Sequence, residues 1–107
     1  LNIMKNQEDH FEVLRKIQSK PDYTQRELAK DLGFSLGKLN YCIKSLHEKG
    51  LIKIENFKNH QNKLVYIKRY LLTNRGIQHR INLTVKFMKR KMQEYDELKK
   101  EIRRIDE

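Results

Sequence analysis

The chain has 107 residues, a formal net charge of +10, 37% hydrophobic and 36% charged residues, and a single cysteine. That length holds one domain and one appended element around a small core. No run approaches the ~20 apolar residues of a membrane span, no signal-peptide core is visible, and Cys42 alone excludes an internal disulfide, so a cytoplasmic protein is expected.

Leu1 to Asn6 show no apolar period and are expected to form an irregular lead-in. From about Gln7 to Lys20, Phe11, Leu14 and Ile17 recur every third residue between charges, which predicts an amphipathic helix ended by Pro21. Thr24 opens a second helix. Thr24 and Glu27 stand in capping-box relation, Leu28, Ala29 and Leu32 form its apolar side, and Gly33 suits the left-handed residue that stops it. Any short amphipathic helix would look the same, so the next element carries more weight.

Ser35 is an N-cap candidate two residues after Gly33, which makes the connection a tight turn. Leu39, Cys42, Ile43 and Leu46 then follow the spacing of one buried face over a helix of about residues 35–49. At about 100° per residue, Gly37, Tyr41, Lys44 and Glu48 fall opposite, flanked by Lys38, Asn40 and Ser45. The outward face is free of acid until Glu48, a mixture suited to phosphates and base edges.

After Gly50 the pattern becomes strand-like. Leu51–Phe57 alternates in its middle and Leu64–Tyr70 is rich in β-branched and aromatic residues. The polar segment between them, residues 58–63, predicts a hairpin with a basic tip. The last predicted helix runs from about Asn74 to the end of the sequence. Ile81, Val85, Met88, Met92, Tyr95, Leu98, Ile102 and Ile105 are spaced 4, 3, 4, 3, 3, 4 and 3, a heptad-like stripe with one three-residue slip. So small a domain cannot cover it, and the simplest partner is the same helix of a second chain.

The charge is localised. Residues 1–34 are balanced, 35–71 and 72–93 each carry a net +6, and 94–107 a net −2. A basic block in one stretch points to a polyanion, nucleic acid ahead of an anionic membrane.

Four stretches carry a family resemblance: Thr24 to Gly33, Ser35 to Gly50, Leu51-Ile52, and Leu72-Thr73-Asn74-Arg75-Gly76. They resemble the core of the MarR-like winged helix-turn-helix regulators. Ser35–Leu46, Asn62–Tyr66 and Leu83–Tyr95 are similar to a small subgroup associated with exopolysaccharide gene clusters. The resemblance implies a mainly α fold with a small β-hairpin: a winged helix-turn-helix domain over 7–73 and a long coiled-coil-like dimerisation helix over 74–107. It also implies a bacterial DNA-binding transcription regulator. The chain departs from larger members in lacking room for their extra dimerisation helices, so its last helix would dimerise alone.

The expected partners are double-stranded DNA and a second copy, with no membrane. The expected DNA-facing residues are Thr24, Gln25 and Arg26; Ser35, Gly37, Lys38, Asn40, Tyr41 and Lys44; and Lys58, His60, Asn62 and Lys63 in the wing. Asn40 suits both hydrogen-bonding edges of adenine, Tyr41 a thymine methyl or a phosphate, and Lys44 a phosphate. Lys86, Lys89, Arg90 and Lys91 fit either a solubilising face or a further DNA contact. Cys42 falls on the apolar face, which favours a packed thiol over a redox sensor. His10, His47, His60 and His79 have no metal-ligand spacing, and no catalytic motif is present, so neither a cofactor nor an enzyme is expected. Two other classes compete: a protein-interaction module working through the long helix, and a non-specific or RNA-directed nucleic-acid binder. Duplex binding across salt, against random-sequence competitor, separates them.

Overall fold

The computed structural model describes residues 2–58 and 66–106. The order is α1 (Asn2–Ser19), α2 (Gln25–Leu32), α3 (Leu36–Glu48), β1 (Ile52–Lys58), β2 (Tyr66–Leu72) and α4 (Asn74–Asp106). This is the expected mainly α architecture with a two-stranded sheet. One expectation is corrected: α1 begins at Asn2, not near Gln7. No proline or glycine interrupts residues 2–6, so a helix nucleated farther along propagates back through them without needing an apolar stripe.

Local chemistry sets the helix ends. The Thr24 hydroxyl accepts from the Glu27 amide at 3.3 Å, and the Glu27 carboxylate accepts from the Thr24 amide at 3.2 Å, a complete capping box. Gly33 closes α2 at φ +68°, a conformation that costs a residue with a Cβ. Ser35 caps α3 by accepting from the Lys38 amide at 3.1 Å. The α2–α3 turn is therefore defined on both sides.

Val13, Leu14 and Ile17 of α1, Leu28 and Ala29 of α2, and Leu39, Cys42, Ile43 and Leu46 of α3 meet in one core with Leu51, Ile52 and Tyr70. The antiparallel register pairs Ile52 with Leu72 through to Lys58 with Tyr66, so β2 continues two residues past the expected Tyr70.

A joint at the base of the strands fixes α4. Thr73 donates its hydroxyl to the Gly50 carbonyl at 2.7 Å and accepts from the Gly76 amide at 3.0 Å. Its own amide donates to the Leu51 carbonyl at 3.1 Å. Gly76 is buried against that Leu51 peptide, an approach that leaves no room for a side chain. Farther along, Leu83 and Phe87 are buried, with the Phe87 ring 5.1 Å from Phe11. Arg90 pairs with Glu8 at 3.0 Å, and the Lys86 ammonium donates to Gln7. The first half of α4 is thus joined to the domain along one face, and the second half extends beyond it, giving extents of 71 × 25 × 23 Å.

Candidate nucleic-acid interface

Burial divides α3 sharply. Leu39, Cys42, Ile43 and Leu46 are almost fully inside, while Gly37, Asn40, Tyr41 and Lys44 are exposed, Tyr41 by 65%. The helix spends its apolar face on the core and leaves a polar, basic face over its first turns. Ser35 is exposed at the cap, with its hydroxyl engaged at the helix end.

Lys38 is placed differently. It lies half-buried on the α1 side, 3.4 Å from Asp9, with its ammonium 4.1 Å over the Phe34 ring. Those partners already neutralise and hold it, so Lys38 belongs to the α1–α3 contact as much as to the outward face. Asp9 is 29 positions from Lys38, so only the fold reveals the pairing.

Thr24, Gln25 and Arg26 gather with Leu36 around a shallow groove between the starts of α2 and α3. Arg26 is exposed and Gln25 half-buried. The amides at the start of α2 are partly occupied, because Glu27 and Thr24 satisfy each other there. This leaves Arg26 as the group in that turn best placed for an external phosphate. Leu36 is the residue that sequence reasoning missed: it is 47% exposed at the mouth of this groove. Its only signal is its place directly after the cap, one turn short of the core.

Lys58 forms the last backbone pair of β1, opposite Tyr66. His60, Asn62 and Lys63 lie outside the described residues, as does the side chain of Lys58. The strands leading to that segment carry Arg69 stacked 4.6 Å from Phe57 and paired with Asp22 at 3.3 Å.

On α4, every residue of the expected dimer stripe is exposed, from 45% at Ile81 and Val85 to 82% at Ile105. Leu83 and Phe87 turn the other way, so the helix carries two apolar faces and the domain covers one. Of the four cations in its middle, Lys86 and Arg90 are engaged by Gln7 and Glu8, while Lys89 and Lys91 are exposed.

Burial pushes the Cys42 thiol above its ordinary value, with Asp9 adding to the effect. His10 and His79 are both pushed down, chiefly by burial and secondarily by Lys49. Among the described residues, no three of His, Cys, Asp and Glu gather as metal ligands would, and no helix is long and apolar enough to cross a membrane.

Residues 10–53 match the family model described as winged helix-turn-helix DNA-binding. No curated protein matches the sequence. Among solved structures, the fold is similar to that of the PcaV transcriptional regulator of Streptomyces coelicolor, with a TM-score of 0.65 and 18% identity over 90% of this chain and 71% of that one. A mutant MepR of S. aureus bound to an oligodeoxyribonucleotide gives 0.60 and 19%, over 91% of this chain and 75% of that one. FabT of Streptococcus pneumoniae in complex with DNA gives 0.55 and 24%, over 82% of this chain and 58% of that one. The chain therefore has a winged helix-turn-helix fold, shared with regulators of the MarR family.

Proposed function

We propose that this protein is a DNA-binding transcription regulator, not an enzyme, and that it binds double-stranded DNA in a sequence-specific manner as a homodimer. The observation that carries the reading is the division of α3: an acid-free face of Gly37, Asn40, Tyr41 and Lys44 stands in solvent while the opposite face is locked in the core. A capped helix presented in this way, after a tight turn, fits the major groove. The winged helix-turn-helix match over residues 10–53 and the DNA complexes of FabT and MepR support it.

In this reading Asn40 reads a base edge and Tyr41 packs on a thymine methyl or a phosphate. Lys44 and Arg26 hold phosphates, and the segment around Lys58, His60, Asn62 and Lys63 contacts the flanking backbone. The exposed stripe from Ile81 to Ile105 joins two copies, each docking on one half-site of an approximately palindromic operator. A finer reading, that the protein belongs with the regulators of exopolysaccharide gene clusters, rests on the Ser35–Leu46, Asn62–Tyr66 and Leu83–Tyr95 motifs.

Selection of binding sites from random duplexes, followed by titration of Asn40→Ala and Lys44→Ala, tests the assignment. Asn40→Ala should lose about 1–3 kcal/mol on the selected site and little on random DNA. Lys44→Ala should weaken both alike and lower the salt slope by about 1. Equal loss on both duplexes for Asn40→Ala removes it as a base reader. Failure to enrich any sequence removes specific recognition.

A further inference from the structure

The alternating spacing of the α4 stripe reads nearly the same in both directions, so it allows an antiparallel pair as well as a parallel one. Taken from the centre outwards, Met92 matches Tyr95, Met88 matches Leu98, Val85 matches Ile102 and Ile81 matches Ile105. Every one of these pairs has its midpoint at Gln93 or between Gln93 and Glu94. A helix laid antiparallel on its own copy about that point brings all eight apolar residues into contact. The three-residue slip between Tyr95 and Leu98 moves the Met88–Leu98 and Ile81–Ile105 midpoints by only half a residue, so the pairing survives it.

Charge selects the antiparallel arrangement over the parallel one. Residues 72–93 hold six cations and no acid, whereas residues 94–107 hold six acids and four cations. Parallel helices would set the cationic half against its own copy. Antiparallel helices set it against the acidic half, and they also oppose the two helix macrodipoles. The exposed fractions of 45–82% on these eight residues amount to roughly 800 Å² per protomer, the size of a standard protein interface.

We infer that the partner of this face is a second copy of α4, running antiparallel and centred at Gln93. The inference deepens the dimer reading above and rests on it. The segment of α4 joined to the domain, Gly76 to Arg90, then lies on opposite sides of the centre in the two chains. The domains stand about 30 Å apart along the helices, close to one turn of DNA.

Disulfide trapping in the full chain tests the register. Val85→Cys and Ile102→Cys are oxidised separately and after subunit exchange, with the wild type as control because its Cys42 is buried. Neither variant should cross-link alone, since each like pair is about 25 Å apart, and the mixture should give the covalent dimer. Self-linking of each variant, with no gain on mixing, overturns the antiparallel arrangement. A spin label at Arg104→Cys, which leaves the stripe intact, should report about 30 Å between chains. A separation below about 20 Å overturns it as well. Sedimentation as a monomer at micromolar concentration overturns the self-pairing altogether. Duplex binding measured on the same samples keeps the DNA-binding reading separate from each of these results.

Discussion

Replacing Gly76 by alanine sets two effects of opposite sign against each other. Inside a helix the exchange ordinarily gains about 1 kcal/mol, because glycine loses more backbone freedom on folding. Here the new Cβ would lie 2.9 Å from the carbonyl carbon and 3.4 Å from the Cα of Leu51, and closer still to its oxygen. These are backbone atoms, so no side chain can rotate away. Relief requires α4 to move off the base of β1 by more than an ångström. That movement strains the Thr73 amide bond to Leu51 and the Thr73 hydroxyl bond to Gly50. Two weakened hydrogen bonds at about 1 kcal/mol each, with about 1–3 kcal/mol of overpacking, outweigh the propensity gain and leave about 2–4 kcal/mol of net destabilisation. In a domain of this size, that lowers Tm by roughly 10–20 °C. Thermal and urea unfolding followed by far-ultraviolet circular dichroism measures it. A Gly76→Ala protein as stable as the wild type would refute the account of the joint.

The contrasting exchange is Gly37→Ala, where the added methyl meets nothing within 4 Å. It should raise stability by up to about 1 kcal/mol and weaken duplex binding about tenfold, because it stands where a groove must approach. Unchanged affinity by fluorescence anisotropy would take Gly37 off the contact face. His10 and His79 have native values below the usual 6.5, with Lys49 near both and Asp9 opposing the shift at His10. The unfolded chain therefore takes up protons first on acidification, so stability present above about pH 6.5 falls as the pH drops through the native values. His10→Gln should flatten the dependence of urea stability on pH between neutral and mildly acid conditions; an unaltered slope contradicts the assignment. The Cys42 thiol, 3% exposed and raised by burial, should react with a disulfide reagent at least about 100-fold more slowly in the native protein than in urea. Fast native labelling would contradict its role in packing.

What could be read in advance was local. Thr24 and Glu27, Gly33 and Ser35 act on backbone groups within four residues, so their roles are visible in the order of the letters. The apolar rows on α1, α3 and α4 are equally periodic, and all three form helices. The features that escaped depend on residues far apart in the chain. Asp9 holds Lys38, Glu8 holds Arg90, and the Leu51 peptide demands a glycine at Gly76. Each needs the fold before the partners meet. Leu36 escaped for a related reason: its spacing from Leu39 suits the buried face, but the core ends one turn before it. The start of α1 was missed because residues 2–6 are helical without carrying a stripe.

The joint of Thr73, Gly50, Leu51 and Gly76 makes α4 one rigid piece with the base of the strands, with no linker between them. In a dimer held through α4, docking of one half-site presents the second reading helix at a fixed distance and a fixed rotation. A flexible tether would offer the same module a broad spread of positions at a modest effective concentration. The rigid rod concentrates that spread on one spacing. Two half-sites moved apart by half a helical turn then lie on opposite faces of the duplex, and the second copy gains nothing from the binding of the first.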